Sequence, residues 1–290
     1  LVRVWRHQWF AGLSSVCGLM PCWVNGVPAE AVSVRDRGLA YGDGVFETIT
    51  VRHCKAALLE RHMRRLLDSC RRLLIAMDEQ LLREEVSAFI GQLTDGVVKV
   101  LITRGEGLRG YALPQVQHPV RILMSSALPD YPLANSEQGI RLFPCATRLA
   151  EQPLLAGLKH LNRLEQVLAR AEWTDPMFAE GLLCDQSGRV IEGVFSNLFL
   201  VRDGRLLTPD LSRCGVAGVM RAELIERATL LGIEVCIQDV TYAQLLAADE
   251  VFVCNSIYGI WPVCQLADQL WSRGSLTRKL QDNVHDLSGS

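Results

Sequence analysis

A lysine amine attacks carbonyl carbon well only where burial or neighbouring positive charge disfavours its ammonium form. The chain has 290 residues and only four lysines, Lys55, Lys99, Lys159 and Lys279, against twenty-six arginines. Lys159 fits such chemistry best. It lies in LLAGLKHLNRLEQ, residues 154–166, with Leu154, Leu155, Leu158 and Leu161 around it and His160 and Arg163 close by. Lys55 falls in the turn-like HCKAA and Lys279 among polar residues, while Lys99, in a strand-like run, is the rival. The plain alternative for Lys159 is a solvated lysine ahead of a helix.

Other residues could serve a ligand. Glu192 opens the run EGVFSN, residues 192–197, at a strand end. A buried glutamate there could keep a heterocyclic nitrogen protonated and make the ring an electron sink; the alternative is an exposed strand-end residue. GVAGVMR, residues 215–221, starts a helix with glycines, where free N–H groups and the helix dipole suit an anion. It also reads as an ordinary glycine-rich helix start. Asn255-Ser256, after the strand VFVC, could add donors or be a plain turn. Residues 105–110, GEGLRG, match the dinucleotide fingerprint G-x-G-x-x-G, but YALP follows instead of a helix, so that reading fails. A loop presenting Arg109 and Tyr111 to an anion and an exposed loop without function both remain open. Thr48, on the strand after Gly42-Asp43-Gly44, is either a proton-transfer hydroxyl or a strand hydroxyl without a role. His62 and His160 have no metal-like partners, and no zinc-ligand spacing occurs.

The totals exclude several classes. A net charge of −2 with dispersed arginines does not point to nucleic acid or a membrane surface. The one arginine cluster, from Arg61 to Arg72, reads mostly as a solvated helix face. No apolar run is long enough to span a bilayer. The ten cysteines are scattered, form no C-x-x-C and stand where small apolar residues would, which suits a reducing cytoplasm. Residues 1–19 read as an upstream extension or an artefact of where the chain was taken to start, and are expected to be disordered.

Positioning these groups requires a scaffold. Asn25-Gly26 marks a hairpin. A strand over 45–51, helical spacing from Leu59 to Leu74, a helix near 79–93 and strands over 97–103 and 120–127 give an α+β domain over residues 20–128. Residues 129–158, rich in proline and with a short strand near 140–144, read as a linker and the start of a second domain. Residues 159–290 form a larger strand-rich domain, opening with an amphipathic segment over 161–173 and including a helix near 218–231. Several short strands separated by turns account for much of the rest.

Together, VNG, RDRGLAYGDGVFET, the H-x-x-R-L of His62 to Leu66, ITRGEGLRGY, KHLNRL and EGVFSN follow an order that resembles the fold-type IV pyridoxal-phosphate enzymes. These include branched-chain and D-amino-acid aminotransferases and aminodeoxychorismate lyases. The resemblance covers nearly the whole chain from Trp23. GLKHLNRLEQVLAR most resembles the lyases, which convert 4-amino-4-deoxychorismate to 4-aminobenzoate and pyruvate in folate synthesis; an aminotransferase is the alternative. The resemblance implies that Lys159 carries pyridoxal 5'-phosphate and acts as acid and base, and that Glu192 pairs with the pyridine nitrogen. It places Arg65, Ser196, Asn197, Gly218, Val219, Met220, Asn255 and Ser256 around the cofactor. It puts Phe46, Thr48, Arg109 and Tyr111 toward the substrate, the latter two in a loop that reaches a partner's site, so that a homodimer is implied. Phe46 stands where related aminotransferases often have Tyr. Val194 and Phe195 replace small polar residues of the D-amino-acid enzymes, which suits a cyclohexadiene ring.

Overall fold

The structure is a computed structural model and describes residues 21–107 and 109–288. The expectation for residues 1–19 lies outside this range. In the first half, β1 (Cys22–Val24), β2 (Val27–Pro28), α1 (Arg37–Tyr41), β3 (Gly44–Arg52) and β4 (Lys55–Ala56) precede two helices, α2 (Leu59–Arg72) and α3 (Glu79–Ile90). β5 (Gly96–Thr103) and β6 (Val120–Ser126) follow. The strands form a six-stranded sheet in the order β2-β1-β6-β5-β3-β4. β3 and β5 pair antiparallel along their lengths, with Phe46 opposite Leu101 and Thr48 opposite Lys99.

Side chains alternate across a strand, and β3 uses both faces. Val45, Ile49 and Val51 join Met63, Leu66 and Phe89 of α2 and α3 in a buried core. Glu47 points the same way, toward α2, while Phe46 and Thr48 face the opposite side.

The second half runs α4 (Ala134–Glu137), β7 (Ile140–Leu149), α5 (Leu164–Arg170), β8 (Phe178–Asp185), β9 (Arg189–Gly193), β10 (Asn197–Arg202) and β11 (Arg205–Pro209). It continues with α6 (Val219–Leu230), β12 (Val235–Gln238), β13 (Val240–Thr241), α7 (Tyr242–Leu246), β14 (Glu250–Asn255), β15 (Gly259–Leu266), β16 (Gln269–Leu270) and α8 (Ser275–Ser288). The strands form a ten-stranded sheet, β12-β11-β10-β14-β15-β7-β8-β9-β13, with β16 on β15. Both faces are covered. Leu198, Leu200, Val251 and Val253 enter one core; their alternates Phe199, Val201, Phe252 and Cys254 pack with Met220, Leu224 and Leu280 of α6 and α8.

Two expectations need adjusting. In the stretch read as linker and start of the second domain, the short strand expected near 140–144 is the ten-residue β7, which pairs in parallel with β15 and β8 in the interior of the sheet. Pro144 sits where the β7–β8 register shifts, so its missing donor is tolerated. The helix expected from residue 161 begins only at Leu164. The preceding residues are extended against β3: Phe46 donates its N–H to the Lys159 carbonyl at 2.9 Å, and Leu161 donates to that of Gly44 at 3.0 Å. Leu164, Val167 and Leu168 are consequently exposed instead of serving this chain's core.

Candidate active site

A cavity of about 580 Å³ lies where the two halves meet, within the range of small-molecule sites. Phe46, Thr48 and Arg65 come to it from the first half, Lys159 and Glu192 from the second. Two short backbone contacts set the lysine. On one side lies β3; on the other, Gly157 donates to the Gly215 carbonyl at 2.9 Å and Ala217 donates to that of Gly157 at 3.1 Å. Nζ of Lys159 then lies 4.4 Å from the centre of the Phe46 ring. Burial, with the Arg65 charge next, lowers the Lys159 pKa to about 8. These are the two influences that free an amine nucleophile.

Glu192 is buried on β9, not an exposed strand-end group. The Val216 N–H donates to its Oε2 at 2.7 Å. Burial raises its pKa to about 7, opposed by that N–H and by the charges of Arg163 and Lys159. A carboxylate so placed gains from a protonated nitrogen brought into the cavity.

Arg65 is held by Glu47. Its Nε donates to Glu47 Oε1 at 2.6 Å and its Nη2 to Oε2 at 2.5 Å, while Nη1 donates to the Ala217 carbonyl at 2.9 Å. His62 Nδ1 is also 2.6 Å from Glu47 Oε2. His62 and Arg65, three apart on α2, share a face. Burial alone would raise the Glu47 pKa; Arg65 and His62 outweigh it and hold the carboxyl at about 2.

α6 points its N-terminus at the cavity, with Gly218 as a cap that makes no side-chain hydrogen bond. The N–H groups of the first turn have no intrahelical acceptor, and Val219 and Met220 line the cavity there. Asn197 serves as scaffold: its Nδ2 donates to the Val216 carbonyl at 2.8 Å, and its Oδ1 would lie 1.9 Å from a Cβ at Gly218. Ser196 donates its hydroxyl proton to Glu180 at 2.7 Å. Asn255 braces its turn by accepting from Ile257 and Tyr258, and Thr50 reaches the Ser256 carbonyl at 2.8 Å across the two halves. All four of Ser196, Asn197, Asn255 and Ser256 line the cavity.

Arg109 and Tyr111 do not line this chain's cavity. Tyr111 is 84% exposed, with its ring 5.3 Å from that of Tyr41. Arg37 holds the loop by donating to the carbonyls of Gly110, Tyr111 and Ala112. Sequence reasoning missed Glu47, whose signal would have been its alternation with Phe46 and Thr48 on one strand. Arg163, expected only as a charge near Lys159 in sequence, also lines the cavity, and its guanidinium donates to the His160 carbonyl at 2.9 Å. Burial, then Arg163, lowers the His160 pKa to about 4, so the neutral ring accepts from Arg163 at Nε2, 2.6 Å away. Lys99, the rival lysine, lies with Nζ 5.1 Å from the Phe46 ring centre. Among the described residues, no cluster of three or more His, Cys, Asp or Glu could hold a metal ion.

The profile of the class IV amino-transferase family matches residues 44–266. An aminodeoxychorismate lyase of Vibrio harveyi is 39% identical over 269 residues, 91% of this chain and 99% of that protein. The crystal structure of 4-amino-4-deoxychorismate lyase from Pseudomonas aeruginosa superposes with a TM-score of 0.90 at 62% identity, covering 91% of this chain and 98% of the other. The branched-chain amino acid aminotransferase of Escherichia coli superposes with a TM-score of 0.81 at 26% identity, covering 94% and 95%. The chain belongs to the class IV aminotransferase family.

Proposed function

We propose that this family member is an aminodeoxychorismate lyase, a pyridoxal-phosphate-dependent enzyme releasing 4-aminobenzoate and pyruvate from 4-amino-4-deoxychorismate, a step toward folate. The observation that carries the reading is the placement of Lys159 and Glu192 in one cavity, the amine with its pKa lowered to about 8 and the carboxylate buried. The choice of lyase over aminotransferase is supported by similarity to lyases along nearly the whole chain, and by a wall that includes Phe46, Val194 and Phe195.

The donor set fits the cofactor. Lys159 supplies an amine for its aldehyde, Glu192 an acceptor for its ring N–H, and Arg65 with the α6 N-terminus a place for its phosphate. Arg65 keeps N–H groups beyond those given to Glu47 and Ala217. When bound, pyridoxal 5'-phosphate supplies an aldehyde that bonds an amine and a protonated ring that draws electrons from the adjoining carbon.

The chain's residues do the rest. Glu192 holds the proton on the pyridine nitrogen. Lys159, in its free-amine form, takes the proton from C4 of the substrate. The C3–O bond breaks, the substrate ring becomes aromatic, and Lys159 returns a proton to the departing enolpyruvyl group, which leaves as pyruvate. Lys99 adds positive charge beside Phe46, a feature suited to a dicarboxylate substrate. Thr48 presents its hydroxyl from the same strand face.

A homodimer is part of the proposal, supported by the exposed Arg109–Tyr111 loop standing away from its own cavity. A cytoplasmic location is supported by the nine described cysteines, all free; no helix among the described residues is long and apolar enough to cross a membrane. To separate the lyase from an aminotransferase, the cofactor-loaded protein is assayed for 4-aminobenzoate release and for amino transfer from D-alanine and L-leucine. The lyase reading requires the first to dominate; faster amino transfer would favour the second reading.

A further inference from the structure

Behind the cavity wall lies a buried acid that the reaction does not use. Glu180, on β8, has no exposed surface. Its Oε1 accepts the N–H groups of Gly181 and Val194, each at 2.9 Å, and its Oε2 accepts the Ser196 hydroxyl at 2.7 Å. It forms no ion pair among the described residues, and burial lifts its pKa to about 7. A buried carboxylate without a cation is costly, and this one is compensated by N–H and O–H donors, two of them from a single turn.

That turn, residues 193–196, connects β9, which carries Glu192, to β10, which begins at Asn197, and all four of its residues line the cavity. Antiparallel pairing of β8 with β9 ends at Leu182 opposite Gly193. Beyond it the chain folds over the Glu180 carboxylate so closely that a Cβ at Gly193 would lie 2.2 Å from Ser196 Oγ and 2.9 Å from Glu180 Cδ. Phe195 is 42% exposed, so packing does little to fix it. Its position follows from the backbone: the Gly193 N–H donates to the Ser196 carbonyl at 2.8 Å, the Val194 N–H is shared between Glu180 and the Gly181 carbonyl (3.0 Å), Glu180 also accepts from the Ser196 hydroxyl, and Asn255 Nδ2 donates to the Phe195 carbonyl, 3.3 Å away. The Ser196 proton is committed to Glu180, so toward the cavity this hydroxyl can only accept. It is thus poorly suited to donate to a phosphate while Glu180 is ionised.

We propose that Glu180 is a positioning residue for substrate recognition, fixing the Val194–Ser196 turn as the wall against which the substrate ring lies. The proposal rests on the lyase reading for the identity of that ring. It separates wall geometry from the chemistry of Lys159 and Glu192.

The test compares Glu180→Ala, Glu180→Gln and Ser196→Ala with wild type as full-length, cofactor-loaded proteins. The readouts are kcat and KM for 4-amino-4-deoxychorismate, cofactor content by absorbance, and 4-aminobenzoate affinity by calorimetry. Glu180→Ala is expected to raise KM and weaken 4-aminobenzoate binding by about tenfold, with kcat and cofactor content within about twofold. Glu180→Gln retains an acceptor for the two N–H groups and a polar partner for Ser196, and should recover to within about threefold of wild type. Unchanged KM and 4-aminobenzoate affinity in Glu180→Ala would overturn the proposal, as would a Gln variant as impaired as the Ala variant. If Glu180→Ala does not fold, Ser196→Ala decides: KM rises by about threefold if the turn is held as described, and stays put if it is not. Wild-type protein without lyase turnover would refute the lyase reading and this inference together; wild-type turnover with indifferent variants refutes only the inference.

Discussion

Nζ of Lys159 lies 4.4 Å from the centre of the Phe46 ring, and the Phe46 N–H donates to the Lys159 carbonyl at 2.9 Å. The reactive amine is therefore fixed by a strand of the other half of the chain. An aromatic face in place of a polar partner leaves burial and Arg65 as the largest influences on the lysine's protonation state, and both push it toward the neutral amine against the charges of Glu47 and Glu192.

That environment has a measurable pH signature. In cofactor-free protein, the rate at which Lys159 is trapped by an aldehyde and borohydride should rise around pH 8, well below ordinary lysines. The sign for stability follows. Because the folded-state pKa is lowered to about 8 from 10.5, the unfolded chain binds the extra proton between these values, and this group's contribution rises with pH across that window. Trapping that rises only near pH 10 would contradict the burial argument.

Glu192→Gln removes the charge that favours a protonated ring nitrogen while keeping the hydrogen bond from Val216 possible. Cofactor content should stay near wild type and turnover should fall by about a hundredfold or more. Single-turnover rates check this, and an unchanged rate would mean that the ring nitrogen has another partner.

Glu47 acts through Arg65. Glu47→Gln leaves Arg65 and His62 without their buried carboxylate, a loss of about 3 kcal/mol in stability. Cofactor phosphate should also bind more weakly as Arg65 loses its fixed geometry. The folded Glu47 pKa is lowered to about 2, so its contribution is full above about pH 4.5 and declines as pH falls toward 2. Thermal melts between pH 7 and 3 on wild type and variant should converge at the acid end; parallel curves would argue against the pairing.

Gly218→Ala places a methyl 1.9 Å from Asn197 Oδ1. The helix start or Asn197 must move, at about 1–3 kcal/mol, and cofactor affinity should fall with it. Dialysis against buffer, followed by absorbance, reads the loss. Full retention would show that the α6 N-terminus plays no part in holding the cofactor.

Much of this site could be read from residue types. Lys159 stood out because lysine is scarce and its neighbours are apolar, and Glu192 because EGVFSN follows a strand. Glu47 was harder to find, because its partners His62 and Arg65 lie on the next helix and meet it only when α2 packs on β3. Glu180 is hidden for a similar reason: its partners Val194 and Ser196 lie beyond a hairpin. In the fold, β7 was under-read because Pro144 breaks its pattern, and α5 was over-read because residues 159–161 pair with β3 before a helix can begin. α8 carries helical residues with no strong start signal and escaped notice.

The most direct measurement is product release from 4-amino-4-deoxychorismate by the cofactor-loaded wild type and by Lys159→Ala. Wild type is expected to release equimolar 4-aminobenzoate and pyruvate, and the variant neither. A loaded wild type that releases no pyruvate, or a Lys159→Ala protein that still does, would contradict the lyase assignment.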